Sequence, residues 1–502
     1  MAWLALPQTQ LALAANSEPL RGVNPAPAFP KGLDWINTEG EALTLEDLEG
    51  KVVLLDFWTY GCINCYHIIP DLKKLEEKYG DALVVIAVHS AKFDAEGDTR
   101  RIRQITHRYE REHPVVNDRG FAFWNRYGAR AWPTLVLIDP AGNVVGKVAG
   151  EGHYELLDEA IGRMIDTFAD AGELDRAPLG YEPFWKSEEG DIDSFLAFPG
   201  KILVDDERLY IADSNNHRIV VTDHSGKVIH LVGSGEAALR DGSFDEAAFQ
   251  QPQGMTLDPQ GRLIVADTLN SAIRLVDFEK GEVTTLAGNG EQEYLREDRY
   301  EASGTGLNSP WDVLWHDGQV YIAMAGQHQI WRLDPGHDRI EVFAGTRREA
   351  LTDGRRLDAA LNQPSGLATD AKRLYFADSE ASAIRYAEFA EDGRLRTIVG
   401  TGLFDFGDVD GSGPKVRLQH PLGIDHVDGL LYIADTYNDK IKVIDPADRS
   451  ARTLLGGDGT LFEPGGLDVH GGKVWIADTN NHAIKVYDLA TGKLSRLEVV
   501  LP

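Results

Sequence analysis

Apolar positions in the first third of the chain predict a small α/β domain. The continuous apolar run KVVLLDFW at residues 51–58 is typical of a strand buried on both faces of a sheet. From Cys65 to Tyr79 apolar residues recur at spacings of three and four, which predicts an amphipathic helix, kinked by Pro70 and ended by Gly80. Further elements follow in order: buried strands over 83–89 and 134–139, a hairpin partner over 143–150 and a closing helix over 151–168.

A longer segment between His89 and Ala131 separates the second and third of these strands. It has helical character around 98–111 and 120–127. The segment carries three histidines, His89, His107 and His113. We interpret it as a mostly structural insertion.

The second part of the chain repeats one strand pattern. Each copy is a hydrophobic strand that typically ends in Ala-Asp and Ser or Thr, followed by a few polar residues and Ile. A Pro-x-Gly or a near equivalent lies about a dozen residues before each copy. The six copies are LYIADSNNHRI (209–219), LIVADTLNSAI (263–273), VYIAMAGQHQI (320–330), LYFADSEASAI (374–384), LYIADTYNDKI (431–441) and VWIADTNNHAI (474–484).

Alternating apolar positions and turn residues make each repeat a small antiparallel sheet. Asp-Gly pairs at 241–242, 353–354 and 410–411 predict recurrent turns on one rim. One such sheet cannot bury its faces alone, whereas a ring of them packs face to face. Six copies therefore predict a six-bladed β-propeller.

A length of 502 residues suits two or three domains. The patterns above divide it into a flexible leader (1–28), an α/β domain (29–170), a linker (171–194) and the propeller (195–502). The linker is predicted from its polar, acidic composition, which includes Gly and Pro and lacks a sustained periodicity.

Composition narrows the classes of partner. The chain is 43% hydrophobic and 26% charged with a formal net charge of −30, so it is a globular protein that repels nucleic acid. It has no apolar run of 18 residues. Residues 2–15 are fairly apolar, but no Lys or Arg precedes Arg21, which favours a leader over an export signal. The expected location is the cytoplasm, with export as the alternative.

The only two cysteines, Cys62 and Cys65, lie after a predicted buried strand and at the start of a predicted helix. Unpaired N–H groups at a helix start stabilise a thiolate, which is the species that attacks a disulfide. Cys62 is therefore the candidate nucleophile and Cys65 the candidate resolving thiol. A zinc site would need two further ligands, and a structural disulfide across four residues adds little stability, so redox chemistry is favoured over both.

This region resembles the thioredoxin family. The residues that carry the resemblance are Asp56-Phe57-Trp58, Cys62-x-x-Cys65, Pro70 and Trp132-Pro133-Thr134. The resemblance implies that Asp56 is a buried acid that takes a proton from Cys65, and that Pro133 is a cis-proline facing the pair. It also implies that Trp58, Trp132 and Thr134 contribute to substrate binding. Gly61 and Ile63-Asn64 depart from the thioredoxin pattern, so a redox potential does not carry over. A peroxidase function is also suggested, because Thr59-x-x-Cys62 is similar to a peroxiredoxin motif. It is less favoured, because Leu55 stands where the peroxiredoxin family has proline.

Over nearly its whole length the chain resembles the NHL-repeat-containing protein 2 family. The matching segments are FPKGLDWIN (29–37), DFWTYGCINC (56–65), VHSAKF (88–93), HPVVND (113–118), WPTLV (132–136), GEGH (150–153) and the Ala-Asp-[Ser/Thr] copies. Family members often carry a further cysteine just before the pair, where this chain has Gly61. The resemblance implies a thioredoxin-like domain followed by an NHL-repeat propeller.

The function predicted from these features is thiol–disulfide exchange at Cys62 and Cys65 on a disulfide-bearing protein. The propeller is expected to recognise a protein or peptide partner, and no cofactor or metal is expected. The repeated aspartates, with Asp213 and Asp267 as the first two, are interpreted as hydrogen-bonding turn residues, and Met324 in the third copy as drift. Two alternatives stay open: a binding scaffold with an inert thioredoxin-like domain, and a propeller hydrolase.

Overall fold

The computed structural model describes residues 19–187 and 192–501. The chain forms two compact units, Met1–Asp191 and Ile192–Pro502. Residues 2–15, interpreted as part of a leader with export as the alternative, lie outside the described residues. Among the residues that are described, no helix is long and apolar enough to cross a bilayer.

The first unit is built on a seven-stranded mixed sheet. The order of its strands is β1 (Asn24–Pro25), β7 (Asn143–Ala149), β6 (Thr134–Ile138), β3 (Val52–Trp58), β4 (Leu83–His89), β5 (Val115–Asn117) and β2 (Trp35–Ile36). Strand β3 is central, parallel to β4 and antiparallel to β6. Every residue of β3 is buried, as its continuous apolar run predicts.

Five helices cover this sheet: α1 (Ile63–His67), α2 (Ile69–Tyr79), α3 (Thr99–Arg108), α4 (Ala122–Tyr127) and α5 (Tyr154–Asp170). On one face, α2 and α5 bury Leu72, Leu75 and Met164 against alternate residues of β3. On the other face, α4 buries Phe123 and Tyr127 against the intervening residues of β3. This arrangement confirms the predicted thioredoxin-like α/β fold.

The helix expected from Cys65 to Tyr79 is two helices in the structure, separated at Ile68. Pro70 explains the break, because proline has no N–H to donate to the carbonyl four residues earlier and its ring would clash there. The first helix also begins at Ile63, two residues earlier than the apolar periodicity indicates.

Parts of the predicted leader and linker belong to the first unit. Asn24 and Pro25, assigned to a flexible leader, form β1 and pair with β7. In the predicted linker, the Asp175 N–H donates to the Gly50 carbonyl (2.8 Å) and the Asp175 carboxylate pairs with Lys51. Backbone pairing with residues far away in the chain therefore orders part of each segment, and neither local sequence reveals it.

The second unit is a six-bladed propeller, which confirms the prediction from the six copies. The first blade has four strands: β8 (Pro199–Val204), β9 (Arg208–Asp213), β10 (Arg218–Asp223) and β11 (Val228–Val232). The second blade has five: β12 (Gly242–Ser243), β13 (Pro252–Leu257), β14 (Leu263–Asp267), β15 (Ala272–Asp277) and β16 (Glu282–Ala287). The third blade also has five: β17 (Arg299–Glu301), β18 (Pro310–His316), β19 (Gln319–Met324), β20 (Gln329–Asp334) and β21 (Arg339–Ala344). The fourth blade has five strands: β22 (Gly354–Arg355), β23 (Pro364–Thr369), β24 (Arg373–Asp378), β25 (Ala383–Glu388) and β26 (Arg394–Val399). The fifth blade has five: β27 (Gly411–Ser412), β28 (Gly423–Val427), β29 (Leu430–Asp435), β30 (Lys440–Asp445) and β31 (Ser450–Gly456). The sixth blade has four: β32 (Pro464–His470), β33 (Lys473–Asp478), β34 (Ala483–Asp488) and β35 (Leu494–Leu497). The innermost strands contact one another around a closed ring, with β32 returning to β8.

The repeated motif builds both the blade and the junction to the next blade. In the second blade, Asp267 Oδ1 accepts the Gln250 N–H (2.7 Å), while Oδ2 accepts from Arg274, seven residues later (2.7 Å). The hydroxyl that follows, Thr268, donates to the Pro310 carbonyl of the third blade (2.7 Å). The same hydroxyl position in the last blade, Thr479, donates to the Pro199 carbonyl of the first (2.8 Å), which closes the ring.

The glycine of the Pro-x-Gly element lies where neighbouring inner strands approach closely. A Cβ at Gly254 would lie 2.5 Å from the Cα of Asp312 in the next blade, closer than atoms tolerate. The Asp-Gly pairs, predicted as turns, instead begin short outer strands: β12, β22 and β27 pair with β16, β26 and β31. The turn prediction failed because these partners lie about forty residues away in the chain.

Met324, interpreted as drift, is half of a matched exchange. Trp331 stands seven residues later, where the second blade has Arg274, and both Met324 and Trp331 are fully buried in one apolar cluster. The Asn308 N–H, which an aspartate would accept, points at the Met324 sulfur (3.3 Å). The third blade has therefore replaced a buried ion pair with an apolar pair of comparable size.

Candidate redox site

The cysteine pair lies directly beyond the carboxyl end of β3. Cys62 occupies the N-cap position of α1 and Cys65 lies inside the first turn, where its N–H donates to the Cys62 carbonyl (3.1 Å). Both are free thiols. Cys62 keeps 8% of its surface exposed, whereas Cys65 has none. Burial, together with the neighbouring Cys62 thiol, raises the pKa of Cys65 well above its ordinary value. The two thiols are therefore inequivalent, and Cys62 is the more exposed of the two.

Asp56 is fully buried within β3, between Ala87 of β4 and Leu135 of β6. Burial raises the pKa of this carboxyl, and the guanidinium of Arg111 acts in the opposite direction. Asp56 is close enough to the pair that its charge contributes to the raised pKa of Cys65. The structure thus places a titratable carboxyl close to Cys65.

Arg111 is a member of the site that the sequence did not reveal. Its side chain is fully buried, its Nη1 lies 3.1 Å from Asp56 Oδ2, and its guanidinium lies 4.0 Å from the centre of the Trp58 ring. Nη2 also donates to the Cys65 carbonyl at 3.5 Å. A buried carboxylate requires such a partner, but nothing near Arg111 in the sequence marks it as one.

Glu96 is a second missed residue, and it holds the loop before Cys62. One carboxylate oxygen accepts the Gly61 N–H (2.7 Å), and the other accepts the N–H groups of Lys92 (2.7 Å) and Phe93 (2.9 Å) and the Thr59 hydroxyl. The residue is fully buried, and burial raises its pKa against these hydrogen bonds. A single side chain therefore ties the Cys62 loop to the segment that follows β4.

His89 packs against the aromatic residues behind the loop. Its ring contacts Trp58 edge-on at 4.8 Å and stacks on Tyr60 at 5.4 Å, and its Nε2 accepts the Tyr60 N–H (3.3 Å). Burial and the nearby Arg111 lower the pKa of His89 to about 3, so the ring is neutral at physiological pH. These contacts agree with a structural interpretation of this histidine.

The segment 131–134 faces Cys62. The Trp132–Pro133 peptide bond is cis, and the Trp132 carbonyl lies 4.0 Å from Cys62 Sγ. Trp132 is half-buried and packs on Trp124 with ring centres 4.6 Å apart. The Thr134 hydroxyl donates to the Ala131 carbonyl (2.7 Å), so it stabilises the bend of this segment.

The structure brings Cys62, Cys65, Asp56, Trp132 and Pro133 together at one edge of the sheet. Trp58, predicted as a substrate contact, has no exposed surface and lies beneath Arg111 and beside His89. Trp58 therefore packs within the buried side of the site, and none of its surface is open to a substrate. In residues 19–187 and 192–501, no three His, Cys, Asp or Glu side chains gather in a way that could hold a metal ion.

Fold and site together define a thioredoxin-like domain with a Cys-x-x-Cys pair, followed by an NHL-type propeller. The family model described as Thioredoxin-like matches residues 50–144, and the NHL repeat model matches residues 463–487. A Bacillus cereus relative, Thiol-disulfide oxidoreductase ResA, is 33% identical over 120 residues, which cover 24% of this chain and 67% of ResA. The first domain is therefore homologous to thiol–disulfide oxidoreductases.

Several relatives match this chain across both of its domains. NHL repeat-containing protein 2 of Gallus gallus is 40% identical over 465 residues, covering 86% of this chain and 63% of that protein. Protein SUPPRESSOR OF QUENCHING 1, chloroplastic, of Arabidopsis thaliana is 42% identical over 459 residues, covering 88% of this chain and 43% of that protein. The chain belongs to the NHL repeat-containing protein 2 family. It spans less than two thirds of the length of these two relatives.

Proposed function

We propose that this protein is a thiol–disulfide oxidoreductase that acts on disulfide-bearing proteins through Cys62 and Cys65. One observation carries the proposal. The first thiol of the pair keeps some exposed surface and faces the carbonyl next to a cis-proline, while the second is fully buried beside a carboxyl. This division suits a nucleophile that meets the substrate and a resolving thiol that waits behind it.

In the first step, the Cys62 thiolate attacks one sulfur of the substrate disulfide. The substrate S–S bond breaks, a mixed disulfide forms, and the departing substrate thiolate takes a proton from water. The backbone beside Pro133 is placed to pair with an extended substrate segment during this step. Trp132 and Thr134 contribute by fixing the shape of that backbone.

In the second step, Cys65 loses its proton and attacks Cys62 Sγ. The mixed disulfide breaks, the second substrate thiolate leaves, and the enzyme retains a Cys62–Cys65 disulfide. The substrate has gained two electrons, and an external thiol reductant must return the enzyme to its dithiol form. We assign Asp56 as the acceptor of the Cys65 proton, because its buried carboxyl has a raised pKa and influences Cys65 directly.

The propeller is proposed to recognise a protein or peptide partner, a common use of this architecture. The repeated aspartates disfavour a hydrolase that would use them as metal ligands. Asp267 and Asp378 accept backbone N–H groups and pair with buried Arg side chains within the blade, and their equivalents likewise accept backbone N–H groups and pair with Arg or Lys. We propose a cytoplasmic location, where free thiols persist and the pair can cycle.

The test is reduction of insulin by the full chain with dithiothreitol as electron donor. We expect Cys62→Ser to fall to the rate of dithiothreitol alone, because the only other cysteine, Cys65, has no exposed surface with which to meet a substrate. Asp56→Asn is expected to slow turnover and to remove one ionisation from its pH profile. Equal turnover by the wild type and Cys62→Ser would contradict the proposal and favour the alternative, a binding scaffold with an inert thioredoxin-like domain.

A further inference from the structure

A basic pocket lies beside the segment that faces Cys62. It has a volume of about 400 Å³, and its lining includes Arg130, Ala131, Thr134, Lys147 and His153. Three of these five side chains are basic, and no acidic side chain lines the pocket. This composition is notable in a chain with a net charge of −30.

The positive charge of the pocket is not neutralised from within the unit. Among the described residues, neither Arg130 nor Lys147 lies within ion-pair distance of a carboxylate. Lys147 Nζ donates to backbone carbonyls instead, at Gly128 (2.7 Å) and Tyr127 (3.4 Å). Burial and the charge of Arg130 both lower the pKa of Lys147, so the two cations are close enough to repel each other. An anion in the pocket would relieve that repulsion.

The acidic residue between the lining residues Ala149 and His153 is already engaged elsewhere. Glu151 belongs to the GEGH segment that leads to His153, and its carboxylate lies 2.6 Å from His67 Nδ1. His153 itself donates from Nε2 to the Ala149 carbonyl (3.1 Å), which keeps its ring beside the pocket. The pocket therefore has no internal carboxylate to occupy it.

The position of the pocket ties it to the redox site. Ala131 and Thr134 line it, and these two residues flank Trp132 and Pro133, whose backbone lies 4.0 Å from Cys62 Sγ. Successive residues of an extended substrate are about 3.3 Å apart along the chain. A residue close to the substrate cysteine in sequence is therefore expected to meet the pocket when the disulfide is at Cys62.

We infer that the pocket formed by Arg130, Lys147 and His153 binds a carboxylate side chain beside the disulfide of a protein substrate. This inference rests on the proposed function. It makes the protein selective for disulfides flanked by Asp or Glu over those flanked by neutral or basic residues. The selectivity is electrostatic, so salt weakens it.

The test compares three disulfide-looped peptides that carry Glu, Gln or Lys on both sides of one cysteine. With the wild type, we expect the Glu peptide to be reduced about fivefold faster than the Gln peptide, and the Lys peptide slowest. Arg130→Gln should bring these rates together, because Arg130 is exposed and its loss removes charge without disturbing the core. Sodium chloride at high concentration should have the same effect on the wild type.

Arg176→Gln is the matched control. Arg176 is exposed and follows Asp175, which pairs with Lys51 at the start of β3, roughly 20 Å from the end that leads to Cys62. The Arg176→Gln substitution removes the same charge from the same unit as Arg130→Gln and should leave the preference for the Glu peptide unchanged. Loss of the preference in both variants would show a general charge effect and overturn the inference.

A binding measurement separates this inference from the proposed function. Thioether analogues of the three peptides cannot be reduced, so their affinity reports the pocket alone. Tighter binding of the Glu analogue, lost in Arg130→Gln, supports the pocket even if no disulfide is reduced, in which case the proposed function fails. Equal binding of all three analogues together with equal reduction rates overturns the pocket and leaves the oxidoreductase proposal standing.

Discussion

Replacing Arg111 with methionine tests whether the buried ion pair organises the redox site. Both side chains of the Arg111–Asp56 pair have no exposed surface. Arg111→Met keeps most of the side-chain volume but leaves the Asp56 carboxylate buried without its cation. Removing one partner of such a pair costs about 3–5 kcal/mol, because the remaining charge has lost its compensation.

The double variant Arg111→Met/Asp56→Asn removes both charges. We expect it to recover at least about 2 kcal/mol relative to Arg111→Met, since replacing a buried pair with neutral groups is far cheaper than breaking it. The single variant should also depend on pH. Without Arg111 the pKa of Asp56 rises further in the folded state, so the penalty is present above that pKa and disappears as the pH falls through it.

The assay is urea unfolding at pH 8 and pH 5. Unfolding is monitored by hydrogen exchange of peptides from β3, so that the signal reports on the first unit alone. Arg176→Met, an exposed substitution, should change stability by no more than about 0.5 kcal/mol. The reasoning is refuted if Arg111→Met costs less than about 1 kcal/mol, or if its cost is the same at both pH values.

Two further predictions concern the propeller and pH. Met324→Asp should cost the propeller about 3–5 kcal/mol by burying an unpaired carboxylate, and adding Trp331→Arg should restore part of this loss in urea unfolding, whereas no recovery would contradict the matched exchange. Because the pKa of His89 is about 3 when folded and about 6.5 when unfolded, the unfolded state takes up the extra proton below pH 6.5. The first unit should therefore lose roughly 2 kcal/mol from His89 between pH 7 and pH 5, and a titration of stability in His89→Gln should lack that loss.

Features with a local or periodic signal were predictable from the sequence. The apolar run of β3 predicted a buried strand, the six copies of the repeat predicted six blades, and the spacing of Cys62 and Cys65 indicated the candidate site. The repeated aspartates were correctly interpreted as hydrogen-bonding residues, although their cation partners, five or seven residues later, went unnoticed. Patterns of this kind are set by backbone geometry within one element.

Features that depend on distant partners were not predictable. Arg111 meets Asp56 across 55 residues, and Glu96 meets Gly61 across 35. A buried charged side chain looks like a surface one until its partner is placed beside it. The outer strands that begin at Gly242, Gly354 and Gly411 were missed for the same reason, because each is defined by a strand that comes much later in the chain.

The central claim is that Cys62 attacks a substrate disulfide and Cys65 resolves the product. Mass spectrometry of the Cys65→Ser variant, mixed with an excess of a disulfide-looped peptide, tests it most directly. The account predicts a stable adduct of one peptide, bound through a disulfide at Cys62 and released by dithiothreitol, while the wild type accumulates none. An unmodified Cys65→Ser chain, together with an unreactive Cys62 in the wild type, would contradict it.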